Sequence, residues 1–240
     1  MFRTIIWLLA VTITFIVMLP VGLIIRLFES KEKYRPANGL AVWLCNHWVP
    51  AYLRLAGCDF EIQGVENVPD EPVMFAGNHQ GIADVMLILF ALKGPHIIIA
   101  KKEAEKVPIA HLWMTLLRTI FLDRSSLRQS LICINDAAEH IKHGHSVIVF
   151  PEGTRSRGPK MNQFKHGTFK IALKSGARVV PFVIDGSYKV VEEQRRLVKS
   201  KVKVSILPPV KPNPGERSTD LAIRVQAEIE KELERLRANS

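Results

Sequence analysis

Asn78-His79-Gln80-Gly81-Ile82-Ala83-Asp84 puts an imidazole, a carboxylate and a glycine within one short stretch. An imidazole with one nitrogen held by a carboxylate can use the other to take a proton from a hydroxyl near neutral pH. His79 and Asp84 are five residues apart, which in a regular helix separates their side chains by about 140°. The pair therefore works only if the chain is irregular at Gly81, with His79 on a strand-to-helix turn and Asp84 in the first helical turn. Such a junction also lies near helix N-terminal amides, which suit a developing oxyanion. On its own the pattern says little, since a histidine beside an acidic residue is usually structural.

Further along runs Phe150-Pro151-Glu152-Gly153-Thr154-Arg155-Ser156. Gly153 lets the backbone turn tightly, and Arg155 offers a fixed planar charge suited to phosphate oxygens. Glu152 can take a substrate hydroxyl or hold the arginine. Two more cationic points, Lys101-Lys102 and Phe121-Leu122-Asp123-Arg124, each follow a short apolar run. Val180-Pro181-Phe182-Val183-Ile184 can wall an acyl-chain tunnel or simply fill a core, and core packing is the better reading for its individual residues. No Gly-x-Ser-x-Gly nucleophile elbow is present.

These segments need a scaffold, and the pattern from residue 58 onward supplies one. Strands are expected at Phe60–Ile62, Val73–Ala76, Ile97–Ala100, Ile120–Leu122, Val147–Phe150, Val179–Ile184 and Val202–Ile206, all rich in Val, Ile and Phe. Helical periods separate several of them. The clearest is Leu127 to His143, with Leu127, Leu131, Ile134, Ala138 and Ile141 on one face and a serine cap before it. Another begins near Ser218–Asp220. The expected class is α/β, a central, mostly parallel or mixed sheet flanked by helices. In that class, ligands collect beyond the carboxyl ends of the strands, where His79, Lys101, Arg124 and Arg155 all fall.

Residues 1–57 read differently from 58–240. From Ile5 to Ile25 there is no charge, and as a helix that run is about 30 Å long, close to a bilayer's hydrocarbon thickness. No small-residue cleavage site follows, and charged Glu29, Lys31, Glu32, Lys33 and Arg35 come next, which argues against a secretory signal. Pro20 leaves full spanning open. Leu40 to Ala56 carries Trp43, Trp48, Tyr52 and Arg54, a mixture suited to the headgroup interface. The two together read as a membrane-associated two-helix anchor, followed by a catalytic α/β domain.

The net charge of +10 calls for an anionic partner. The basic residues are dispersed and aromatics amount to 8%, a poor fit to nucleic acid and a good one to lipid headgroups or a phosphorylated substrate. Three widely spaced cysteines suit reduced buried thiols rather than disulfides or zinc. His140, His143 and His145 have no standard metal-ligand spacing and read as charges near a helix C-terminus; His47, His96, His111 and His166 read as structural.

Taken in order, four blocks resemble the bacterial 1-acylglycerol-3-phosphate acyltransferases within the glycerolipid acyltransferase family: Asn78-His79 with Asp84, Phe121 to Arg124, Phe150 to Ser156 and Val180 to Ile184. The resemblance implies transfer of a fatty acyl group from an acyl thioester to the free hydroxyl of lysophosphatidic acid. His79 is then the general base and Asp84 its orienting partner. Lys101, Arg124, Glu152, Gly153, Thr154 and Arg155 bind the glycerol phosphate. It implies no cofactor, no metal and no acyl-enzyme, with acyl-CoA or acyl-ACP (the acyl carrier protein thioester) as co-substrate. It also implies membrane lipids and acyl carrier protein as partners, and a bacterial inner membrane with the catalytic domain on its cytoplasmic side. Two departures touch the acceptor loops: Gly81 stands where serine or asparagine is common, and Arg118-Thr119 replace glycines common before the second block. Another acceptor, such as glycerol-3-phosphate, another lysophospholipid or an ornithine lipid, remains an alternative. A lipid hydrolase using the same pair, or a basic surface-binding protein, explains fewer of these features.

Overall fold

The computed structural model describes residues 2–28, 32, 34, 37–123 and 125–238. Its strands are β1 (Cys58–Gln63), β2 (Met74–Gly77), β3 (Ile97–Lys101), β4 (Ile120–Leu122), β5 (Val147–Val149), β6 (Val179–Asp185) and β7 (Ser200–Ile206). Its helices are α1 (Phe2–Leu27), α2 (Gly39–Leu55), α3 (Ala83–Leu92), α4 (Pro108–Leu116), α5 (Leu127–Lys142), α6 (Lys170–Ser175) and α7 (Ser218–Ala238). The strands form one sheet in the order β1-β7-β6-β2-β5-β3-β4. From β6 to β4 all pairings are parallel. β7 runs antiparallel to β6, with Phe182 opposite Ile206, and β1 is parallel to β7. The sheet is thus mixed but mostly parallel, as the α/β reading requires.

The apolar runs are continuous because both sheet faces are covered. Along β2 and β5, Met74, Ala76, Val147 and Val149 enter one core with Ala137 of α5, Ala172 of α6 and Val225 of α7. The alternate residues Phe75 and Ile148 enter a second core with Leu87 and Ile88 of α3 and Leu53 of α2. Ser126 caps α5 by accepting from the Gln129 amide, so the helix starts where its serine predicts.

Five strand ends emerge along one edge, and close packing fixes where the chain leaves them. A Cβ placed on Gly77, the last residue of β2, would lie 2.2 Å from Cε2 of Phe182 on the adjacent strand. Replacing Gly77 with alanine is therefore expected to destabilise the fold by about 1–3 kcal/mol, as overpacking does. It also shifts Asn78 and His79, so activity should fall more than stability; thermal unfolding beside a rate assay checks this.

α1 is one continuous helix through Pro20 and lies against α2 and α4. The Trp7 indole donates to Tyr52 O at 3.0 Å, the Tyr52 hydroxyl bonds Thr14, and Arg3 donates to Leu197 O at 2.9 Å. The rest of its surface points outward: Ile13 and Ile16 are each 58% exposed. Residues Arg3–Leu27 have mean hydropathy 2.7, long and apolar enough to cross a membrane by length and composition. α2 also continues through Pro50, and its Leu53, with Ala56 just past its end, joins the second core, so this helix is part of the body as well as a neighbour of α1.

Candidate active site

β2 ends at Gly77 and α3 begins only at Ala83, so residues 78–82 form the irregular turn that the His79–Asp84 spacing demands. Asn78 is buried and grips one peptide of β6, donating to Ile184 O and accepting from Ile184 N, both at 2.8 Å. Gln80 accepts from the Gly186 amide at 2.9 Å. These two amides staple the turn to the end of β6. His79 Nδ1 then lies 2.8 Å from Asp84 Oδ2, with Asp84 fully buried and His79 17% exposed. The imidazole stacks on Phe150, ring centres 4.2 Å apart. Held by an acid on one edge and an aromatic face beneath, the ring keeps Nε2 without a partner among the described residues.

Three amides just before α3 that could face an oxyanion are already occupied. Gln80 and Gly81 N–H both donate to Asp84 Oδ2, at 2.6 and 2.8 Å, and Ile82 N–H donates to Glu192 Oε1 at 2.8 Å. A carboxylate in the first turn satisfies the amides there, which holds the turn rigid but leaves these three donors occupied.

The 150–156 turn docks directly on this segment. Ser156 N–H donates to His79 O at 2.7 Å and Arg157 N–H to Gln80 O at 3.1 Å. In return His79 N–H donates to Glu152 Oε1 at 2.5 Å, and the other carboxylate oxygen accepts from Asn162 N–H at 2.8 Å. Glu152 is 3% exposed and makes no ion pair with Arg155; its oxygens tie the histidine backbone to the loop. Burial pushes its carboxyl above the ordinary range, against the pull of those two amides. Gly153 has φ +71, a left-handed turn that favours glycine.

A cavity of about 740 Å³ joins these parts. Its polar lining includes His79, Lys101, Gly153, Thr154, Arg155 and Lys165, and its apolar lining includes Val85, Ile98, Met114, Leu122, Ile134 and Val149. A pocket of that size with both polar and apolar lining residues fits an amphiphile. Residues 180–184 do not line it; Val180, Phe182 and Ile184 lie in the core. Lys101 pairs with Glu103 at 2.7 Å and Arg155 with Glu192 at 2.9 Å. Arg124 lies outside the described residues. Cys133 also lines the cavity, but burial lifts its thiol to about 12, so it is a protonated thiol at neutral pH. Cys58 is likewise buried, and the side chain of Cys45 lies outside the described residues.

Lys165 lines the same cavity and was missed by the sequence reading. Its Nζ would lie 3.0 Å from a Cβ on Gly153, beside the turn, and it forms no ion pair among the described residues. The signal was available in Phe164-Lys165, ten residues beyond the arginine, but required knowing that this loop folds back on Pro151 through the Lys165 amide. His140 is 5% exposed and packs edge-on to Tyr34, so it is an interior residue rather than a surface charge at the helix end. Among the described residues no group of three His, Cys, Asp or Glu side chains could hold a metal ion.

Comparison with known proteins points the same way. A family model described as Acyltransferase matches residues 59–185. The 1-acyl-sn-glycerol-3-phosphate acyltransferase of Borreliella burgdorferi is 32% identical over 133 residues, 55% of this chain and 53% of that protein. The probable 1-acyl-sn-glycerol-3-phosphate acyltransferase of Mycoplasma pneumoniae is 30% identical over 159 residues, 65% and 60% of the two chains. The chain thus spans about half the length of the curated relatives it matches. The crystal structure of the 1-acyl-sn-glycerophosphate (LPA) acyltransferase PlsC from Thermotoga maritima superposes with a TM-score of 0.82 at 26% identity, covering 99% of this chain and 97% of that one.

Proposed function

Because the chain belongs to the acyltransferase family, we propose that it transfers a fatty acyl group from an acyl thioester to the sn-2 hydroxyl of 1-acylglycerol-3-phosphate, giving phosphatidic acid. The observation that carries this reading is a single cavity lined by His79, whose Nδ1 is held by Asp84 and whose Nε2 has no partner among the described residues, together with Lys101, Arg155 and Lys165. His79 takes the hydroxyl proton as the oxygen attacks the thioester carbonyl. The new C–O bond forms, the C–S bond breaks, and the imidazolium returns the proton to the departing thiolate. Asp84 stabilises the cationic ring between these steps. Arg155, Lys101 and Lys165 receive the phosphate, with Gly153 and Thr154 shaping the turn beside it. Arg124, beyond β4, belongs to the same group in this reading. The apolar lining takes acyl chain, and α1 keeps the cavity close to the membrane that supplies the lysophospholipid acceptor, on the cytoplasmic side of a bacterial inner membrane.

The test is purified protein with labelled acyl-CoA or acyl carrier protein thioester and a panel of acceptors. Phosphatidic acid should form with lysophosphatidic acid and slow sharply when the acceptor lacks phosphate. Rapid thioester loss without any acceptor would mean hydrolysis and would sink the proposal. Within this assay Arg155→Ala should raise the acceptor KM about 10- to 100-fold, the size of a lost charged hydrogen bond, with a smaller change in kcat. An unchanged KM would put the phosphate elsewhere.

A further inference from the structure

We propose that Glu192, which lies outside the four sequence blocks and beyond residues 59–185, is a positioning residue for the transfer reaction. It holds Arg155 at the cavity and secures the entry to α3, occupying the space a side chain on residue 81 would fill. The inference rests on the acyl-transfer reading and deepens it.

Glu192 comes from the segment between β6 and β7, where Val190 N–H donates to Ser187 O at 3.1 Å and Glu193 N–H to Tyr188 O at 3.0 Å. Its side chain is 6% exposed. Oε1 accepts from Arg155 Nη1 at 2.9 Å and from Ile82 N–H at 2.8 Å, so one atom joins the phosphate-side arginine to the histidine-side turn. Oε2 is buried without a partner among the described residues. A carboxylate is costly to bury, and one with an unpaired oxygen more so, which marks it as held for something other than stability. Gly81 explains how it fits. A Cβ at residue 81 would lie 2.7 Å from Oε2, with Ser187 O at 3.1 Å. The glycine at that position and the carboxylate at 192 are two halves of one arrangement.

The consequence for Arg155 is directional. A free arginine samples many rotamers, whereas here one Nη1 hydrogen is spent on Glu192 and the remaining guanidinium donors stay available to a phosphate. Positioning of this kind acts on acceptor binding through Arg155 and leaves the thioester side alone.

The experiment measures kcat and both KM values, with thermal unfolding, for wild type, Glu192→Ala, Glu192→Gln, Gly81→Ala, Gly81→Ala/Glu192→Ala and Arg155→Ala/Glu192→Ala. Glu192→Ala should raise the acceptor KM about ten-fold, the size of one lost charged contact, with the donor KM unchanged. Glu192→Gln keeps an oxygen for Ile82 N–H and Arg155 and should recover most of that loss. Gly81→Ala evicts the carboxylate and should mimic Glu192→Ala, while the Gly81→Ala/Glu192→Ala pair should be no worse than Glu192→Ala alone. Arg155→Ala/Glu192→Ala should have the acceptor KM of Arg155→Ala, since the Ile82 contact that it also removes acts on the turn and not on the phosphate. Losses that multiply, or losses in kcat alone that track the unfolding temperature, overturn the inference. If Glu192→Ala fails to fold, Glu192→Gln and Gly81→Ala carry the same test. A wild-type protein that transfers no acyl group overturns both readings together, whereas active wild type with multiplying losses overturns only this one.

Discussion

His79→Ala is expected to lower kcat by about 10³-fold or more, toward the upper end of what a positioned general base contributes. The fold should survive. Asp84 keeps the Gln80 and Gly81 amides, and the Glu152 bond to residue 79 uses the backbone, which alanine retains. What disappears is a ring 17% exposed, stacked on Phe150 at the cavity wall. Acceptor and donor KM should change little, because the cations proposed to hold the phosphate and the apolar lining are untouched. His79→Gln should not rescue: it can fill part of the space but has no nitrogen able to accept a proton and give it back. A variant within ten-fold of wild type, with normal unfolding temperature, would remove His79 from the chemistry.

How much of this was legible beforehand follows from the range of the interactions. The seven described strands are readable from short apolar runs, continuous where both faces are buried, as in β2, β5 and β6, and alternating in β1, and their ends differ from the expected ones by only a residue or two; β5, for example, stops at Val149 rather than Phe150. The site blocks were readable for the same local reason. Irregularity between His79 and Asp84 could be required from helix geometry alone, and the turn from 78 to 82 supplies it. Pairing was not readable. Nothing in the Ser200–Ile206 run announces that it reverses direction against β6, and nothing near Asn78 announces that its amide will close on Ile184, 106 residues away.

The same limit explains the corrected details. Glu152 seemed available to substrate because its neighbours in sequence are a glycine and an arginine; its partners are the amides of His79 and Asn162, one of them distant in sequence. The spacing of His79 and Asp84 shows one partner of the carboxylate, the imidazole; only the folded turn shows that Oδ2 also accepts from the Gln80 and Gly81 amides. For residues 180–184 the structure agrees with the core packing preferred over a tunnel wall: β6 lies between β2 and β7 with Phe182 packed under Gly77. The replaced glycine at Arg118 has a structural trace: its φ is +60, so the backbone keeps a glycine-like turn despite the side chain, which reaches Glu32 O at 2.7 Å.

Asp84→Asn should be the second largest loss, about 10²-fold in kcat, and the more informative one because it changes charge with little change in shape. The asparagine oxygen can take the place of Oδ2 and still accept from His79 Nδ1 and the two amides, so the ring stays where it is. Its NH2 group then occupies the position of Oδ1, which is buried without a partner among the described residues, and stability should fall by about 1–3 kcal/mol. Rotated the other way, the NH2 would face two N–H groups, so the first orientation wins. With geometry kept, the loss in rate reports the missing negative charge beside an imidazole that, in the proposed mechanism, becomes cationic in the transition state. Two residues acting as one unit do not multiply, so His79→Ala with Asp84→Asn should be no slower than His79→Ala alone. Measured kcat for the three variants decides it: a double variant slower by the product of the single effects would mean that Asp84 supports the fold and not the base.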